Sequence, residues 1–141
     1  MRKALRGYRN IHQTCDSRKP ISLALLYKLC THVSTVVKSD YSAVMFKAMF
    51  LLAFHAFLRV GELTLSSNNI SNVLQVNNLK LVYKSGLVQG MYVTFVNFKH
   101  SKNKPFSLYI AKQKHNFCPV TAVAEYLKNA SKNIRSTFHF L

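Results

Sequence analysis

One stretch limits what this chain can fold into: residues 43–65, which read AVMFKAMFLLAFHAFLRVGELTL. Residues 44–58 are apolar apart from one lysine and one histidine, and this predicts a helix buried on most of its circumference. Arg59 follows, and Glu62 comes three residues later. A buried or half-buried guanidinium requires a carboxylate or a bound anion beside it. Because residues three apart share one face of a helical turn, we predict that Glu62 pairs with the Arg59 side chain.

The charge of the chain favours a polyanion as its partner. Lys and Arg number 20 against four Asp and Glu, so the formal net charge is +16 on 141 residues. Nucleic acid is the expected polyanion, because each phosphate that a lysine or arginine neutralises releases condensed counterions. Nearly half of the residues (49%) are apolar, which indicates a packed core rather than a disordered basic tail. The length suggests one domain or part of one.

Cysteine content and hydropathy favour an intracellular protein, in the nucleus or the cytoplasm. The three cysteines are an odd number and form no recognisable disulfide framework, as expected in a reducing compartment. Residues 1–10 contain no apolar core of a secretory signal. The longest wholly apolar run, residues 48–54, is far shorter than the roughly 20 residues that a membrane span needs. We therefore expect no membrane insertion.

Residues 1–19 are expected to be a basic lead-in, and residues 20–141 one folded unit. Asp16 is the one acidic residue of the lead-in. Its basic residues could be solvated at a frayed terminus, as charge runs usually are. The alternative is an arm along a phosphate backbone, with Arg6, Arg9 and Arg18 as contacts.

The hydrophobic spacing predicts an α+β fold that is mainly helical, with a small three-stranded antiparallel sheet. Besides the buried stretch, helices are expected at about residues 22–37 and 118–128. Asp40 or Ser42 is the expected cap of the buried helix. The strands are expected at residues 79–83, 91–98 and 106–111, separated by turns at 85–90 and 100–104.

Five blocks in this order resemble a known family. They are Gly7-Tyr8-Arg9, Arg18-Lys19-Pro20-Ile21, Leu52 to Leu63 (LAFHAFLRVGEL), His100-Ser101-Lys102, and Cys118 to Leu127 (CPVTAVAEYL). Together with a buried helix, a three-stranded sheet and a closing helix, they resemble the first part of the catalytic domain of tyrosine recombinases, the phage integrase family. The likeness is to the eukaryotic crypton and DIRS-like transposon branch. It implies DNA recombination and integration through a 3′-phosphotyrosine, without metal or cofactor.

The resemblance also assigns roles to residues. Arg59 would stabilise the negative charge of the phosphodiester transition state, and Glu62 would orient its guanidinium. Lys102, or else Lys99, would be the general acid on the leaving 5′-oxygen. His100 and Lys104 in the same turn would contact DNA. DNA and other recombinase subunits are the partners that the resemblance implies.

The sequence lacks the motifs that follow these blocks in the family, namely a His-x-x-Arg block and then a tyrosine nucleophile. No histidine is followed three residues later by arginine, and no tyrosine stands where the family's nucleophile belongs. Tyr126 is expected to be a packing residue of the last helix. The resemblance therefore covers the N-terminal part of the domain, and we expect no strand cleavage by this chain alone.

Three other interpretations remain open on sequence grounds. A non-catalytic basic nucleic-acid-binding protein would explain the charge equally well. A membrane-surface protein could use the apolar stretch and the charge together. A zinc site could use the pairs His12-x-x-Cys15 and His115-x-x-Cys118, although Cys and His more often occupy such positions without metal. We expect no metal.

Overall fold

The structure, a computed structural model, describes residues 20–64, 73–96 and 104–132. Over these residues the chain is α+β, and the predicted fold class is confirmed at that level. The elements in chain order are α1 (Leu23–Val36), α2 (Asp40–His55), α3 (Val60–Leu63), a 3₁₀ turn (Val76–Asn78), β1 (Leu79–Lys84), β2 (Leu87–Phe95), β3 (Phe106–Ala111) and α4 (Pro119–Lys132).

Helix α1 begins where the sequence predicts it. Ser22 is the N-cap, and its Oγ accepts a hydrogen bond from the Leu25 backbone N–H at 3.3 Å. The start of α2 differs from the prediction, because Ser39 rather than Asp40 or Ser42 occupies the N-cap position, and it makes no side-chain cap bond. Asp40 lies instead in the first turn, where a negative charge interacts favourably with the helix dipole.

Helix α2 is the centre of the core, as its apolar sequence predicts. It packs against both α1 and α4. Leu51 and Leu52 of α2 are fully buried, and so is Tyr126 of α4, which confirms Tyr126 as a packing residue. The Tyr126 hydroxyl lies 3.5 Å from that of Tyr41. Burial, and next the hydrogen bond with Tyr41, raises the pKa of Tyr126 well above its usual value.

The sheet is the predicted antiparallel meander, with β2 between β1 and β3. Its inner face buries Met91 and Val93 completely, and β2 contacts α4. The predicted break at 85–90 is too long. The turn is Ser85–Gly86 alone, and β2 begins at residue 87 instead of 91 and ends at 95 instead of 98. A register irregularity after Val82 absorbs the extra residue.

Helix α4 begins at Pro119, as predicted, and continues to residue 132, four residues beyond the predicted end. Proline suits the first helical position, because its missing N–H would have no intrahelical partner there. The preceding residue, Cys118, is fully buried, and its Sγ accepts the Gln113 backbone N–H at 3.1 Å. The loop from β3 is thereby bonded to the start of α4.

Candidate nucleic-acid interface

Helix α2 ends in a tight bend directly before Arg59. The Leu58 backbone N–H donates to the carbonyl of Ala53 at 2.9 Å, the bond that closes a Schellman C-cap. Phe57 occupies the position after the C-cap with a φ of 53°, in the left-handed region where glycine is usual. The helix predicted over the apolar residues 44–58 is therefore too long at its C-terminal end. The helix ends at His55, and Arg59 introduces the separate helix α3.

Glu62 bonds to the backbone of Arg59. Arg59 is the N-cap of α3, and its backbone N–H donates to Oε2 of Glu62 at 2.8 Å. The Glu62 backbone N–H donates in return to the Arg59 carbonyl at 2.9 Å. Among the described residues, the Glu62 carboxylate bonds to the Arg59 backbone N–H and not to the guanidinium. The predicted pairing with the guanidinium is therefore wrong. Arg59 is exposed, so its guanidinium does not need the carboxylate partner that a buried one would require.

The backbone that carries Arg59 is anchored to the core. Leu63, at the end of α3, and Leu74, beyond it, are each only 4% exposed. The Leu74 backbone N–H donates to the Glu62 carbonyl at 2.7 Å. These bonds fix the position of α3 while the Arg59 side chain extends into solvent. An anchored backbone reduces the entropy lost when the guanidinium binds a ligand.

Two exposed apolar side chains flank Arg59. Phe57 is 92% exposed and Val60 is 77% exposed. A guanidinium presents a planar fork of N–H donors that matches two oxygens of a phosphate. The apolar neighbours can contact the sugar or base next to that phosphate. The arrangement suits a nucleic-acid backbone better than a free inorganic anion, which offers nothing for the apolar groups to contact.

The charges of the chain are distributed unevenly. The acidic residues of the described part are Asp40, Glu62 and Glu125, and all three lie on helices. Between Glu62 and Glu125 the sequence contains seven lysines and no acidic residue. The sheet and its connections therefore carry positive charge without an internal counter-charge, and an external anion can neutralise it.

Sequence reasoning missed a group of side chains on the outer face of the sheet. The register places Lys80, Tyr92 and Tyr109 side by side across the three strands. All three are exposed. Alternation within each strand was the available signal, since these residues occupy the positions opposite to the buried ones. The pairing register, which brings them together, could not be read from one strand alone.

The other predicted DNA contacts are only partly placed. Lys104 is exposed just before β3, as a contact residue requires. Lys99, His100 and Lys102 of the same turn lie outside the described residues, and so do Arg6, Arg9 and Arg18 of the lead-in. The general-acid role of Lys102 stays a prediction.

The alternative zinc pair His115 and Cys118 has other contacts. His115 Nδ1 accepts the Phe117 backbone N–H at 3.2 Å. Burial raises the pKa of the Cys118 thiol, but hydrogen bonds, including that from Gln113, outweigh it and leave the pKa below its usual value. Within residues 20–64, 73–96 and 104–132, no three metal-ligating side chains lie close enough to hold an ion. His12 and Cys15 lie outside these ranges.

Among the described residues, no helix is long and apolar enough to cross a membrane. Comparisons of the chain with protein-family models, with curated proteins and with solved structures found no match.

Proposed function

We propose that this chain binds DNA as the N-terminal part of a tyrosine-recombinase-type catalytic domain, with Arg59 contacting a phosphodiester. One observation carries the proposal. Glu62 is bonded to the Arg59 backbone, so it orients the residue without occupying its guanidinium. In this way the carboxylate positions the cation, and among the described residues no side chain occupies the fork of N–H donors of the exposed Arg59.

The chemistry of phosphoryl transfer explains why such a group is useful. The transition state of attack on a phosphodiester carries extra negative charge on its non-bridging oxygens, and a positioned cation stabilises that charge. Arginine suits the role because it stays protonated and binds two oxygens at fixed geometry. The 141 residues contain no His-x-x-Arg block and no matching tyrosine nucleophile. We therefore expect these residues to bind DNA without cleaving it.

Duplex DNA binding by matched charge variants tests the proposal. Arg59→Ala is compared with Lys38→Ala, which removes one exposed positive charge from the α1–α2 connection. Affinity is measured by fluorescence anisotropy over a series of salt concentrations. We expect Arg59→Ala to lower affinity about tenfold or more, because a charge-assisted hydrogen bond contributes about 1.5–3 kcal/mol. Arg59→Lys should recover only part of the loss, since an ammonium cannot bind two oxygens as a fork.

The second candidate function is a basic nucleic-acid-binding protein without recombinase ancestry. The seven lysines and absent acidic residues between positions 62 and 125 favour it. Under this alternative Arg59 is one charge among many, and Arg59→Ala and Lys38→Ala lower affinity by the same small factor. Equal losses would therefore reject the assigned role of Arg59. A covalent adduct between the wild-type chain and nicked DNA would reject the expectation that it does not cleave.

A further inference from the structure

The outer face of the sheet presents two tyrosine rings next to a lysine. Tyr92 of β2 pairs with Lys80 on one side and with Tyr109 on the other. Tyr92 is 44% exposed and Tyr109 is 46% exposed. Their ring centroids are 5.1 Å apart, with an angle of 52° between the ring planes. Cross-strand aromatic pairs stabilise sheets, but this pair leaves nearly half of each side chain open to solvent.

The absence of a side chain at Gly90 leaves space for the Tyr109 ring. A Cβ at residue 90 would lie 2.6 Å from Cζ of Tyr109, closer than side chains approach one another. The ring therefore extends over the bare backbone of β2. In the adjacent pair of residues, the hydroxyls of Thr94 and Ser107 are hydrogen-bonded at 2.9 Å. The rings thus have glycine backbone on one side and a pair of hydroxyl groups on the other.

The electrostatics of this face select an anionic partner. Lys80 lies in the same cross-strand row as the two rings, and no acidic residue occurs between positions 62 and 125. Aromatic rings beside positive charge, without carboxylates, match a ligand that combines flat apolar groups with a charged backbone. Nucleic acid has this composition, because its bases stack on aromatic side chains and its phosphates pair with lysine.

We propose that Lys80, Tyr92 and Tyr109 form a stacking platform for single-stranded nucleic acid, separate from the Arg59 contact. Duplex bases are already stacked on one another and cannot reach the rings, whereas unpaired bases can. Tyrosine stacking tolerates any base, so the platform reads no sequence. The proposal goes beyond the recombinase assignment and does not depend on it.

Tyrosine fluorescence provides the direct measurement. The chain contains seven tyrosines and no tryptophan, so tyrosine emission is not masked. The wild-type chain is titrated with oligothymidylate, and the same strand in a duplex serves for comparison. We expect the single strand to quench the emission more strongly than the duplex does, because only unpaired bases can stack on the rings. Equal quenching by the single strand and the duplex would overturn the proposal.

The double variant Tyr92→Leu, Tyr109→Leu should lose about tenfold or more in affinity for the single strand, since stacking contributes about 1–3 kcal/mol per base. Tyr83→Leu is the matched control, because Tyr83 is 59% exposed on the same sheet but outside the row. It should bind like the wild type, and so should Tyr92→Phe, Tyr109→Phe, which retains both rings. Equal losses in the double leucine variant and the control would overturn the proposal.

Photocrosslinking of the wild-type chain covers the case in which the double leucine variant fails to fold. A strand containing 5-iodouracil is irradiated with the protein, and the adduct is mapped by mass spectrometry. Adducts on Tyr92 or Tyr109 support the platform, and adducts confined to other residues overturn it. Arg59→Ala separates the two proposals, because it should weaken duplex binding while the single strand still quenches tyrosine emission.

Discussion

Two turns of this chain place residues at positive φ, and their residues suit that conformation to different degrees. The β1–β2 turn consists of Ser85 and Gly86, with φ values of 52° and 77°. The bend after α2 places Phe57 at 53°. A two-residue hairpin with both φ values positive is a type I′ turn, in which glycine is favoured. For a bulky L-residue such as phenylalanine, the left-handed region costs about 1–2 kcal/mol.

The two turns adopt positive φ values for different reasons. In the hairpin Gly86 itself favours the turn. At the bend the surroundings impose it, through the bond from Leu58 to Ala53 and the bond from Arg59 to Glu62. Burial does not offset the strain, because the Phe57 ring is 92% exposed. Strain maintained by the surroundings is common at functional sites, and Phe57 lies two residues from the proposed phosphate contact.

The largest change in the free energy of unfolding is expected for a substitution in the β1–β2 hairpin turn. Gly86→Ala should lower the free energy of unfolding by about 1–2 kcal/mol, because it places a Cβ in the left-handed region. A Cβ at residue 86 would contact nothing within 4 Å, so the loss isolates the backbone effect. Urea denaturation followed by circular dichroism measures it. Gly61→Ala is the control, since that site is equally open but has no positive φ. A similar loss in both variants would contradict the explanation.

Placing glycine at the bend after α2 should change the free energy of unfolding in the opposite direction. Phe57→Gly is expected to raise the free energy of unfolding by about 1 kcal/mol, because glycine adopts this φ without strain. Phe57→Ala retains the strain and removes only an exposed ring, so it should leave stability nearly unchanged. Thermal and urea unfolding of both variants test this. If glycine destabilises the chain, the ring contributes more than its exposure indicates, and the contrast between the two turns is lost.

The parts of the fold that were predicted correctly are those that depend on the local preferences of particular residue types. The strand β3, the start of α1 and the start of α4 at Pro119 were predicted because each depends on a local preference. The break after His55 was not, because a phenylalanine in the position of a C-terminal glycine gives no local signal. The apolar pattern through the bend is uninterrupted, and only tertiary bonds reveal where the helix stops.

In the candidate site, the sequence predicted that Arg59 and Glu62 interact but not through which atoms, and it did not predict the tyrosine pair. Spacing correctly linked Arg59 and Glu62, but it could not tell a bond to the backbone from a bond to the guanidinium, since both join residues three apart. The tyrosine pair was missed because Tyr92 and Tyr109 meet only through strand pairing, over a separation that local patterns do not read.

Removing the bond that positions Arg59 should have a smaller effect. Glu62→Ala is expected to lower the free energy of unfolding by about 0.5–1 kcal/mol, since it removes the acceptor of the Arg59 backbone N–H. Glu62→Gln keeps an acceptor oxygen and should recover much of the loss. Glu125→Gln, at an exposed site on α4, controls for the change of charge. If Glu62→Ala leaves stability unaltered, Glu62 does not hold the bend.

The smallest change in stability is expected for Ser85→Asn, which tests whether serine is the best residue at the first position of the hairpin turn. Asparagine adopts positive φ more readily than serine does, and Asn-Gly is the preferred type I′ pair. Ser85→Asn should therefore raise the free energy of unfolding by about 0.5 kcal/mol, less than Phe57→Gly does at the bend, because serine is a smaller mismatch than phenylalanine. Urea midpoints of the two single variants and of the double variant give the ranking. Additivity is expected, since the turns lie in different elements, and a reversed ranking would show that the bend is the less strained of the two.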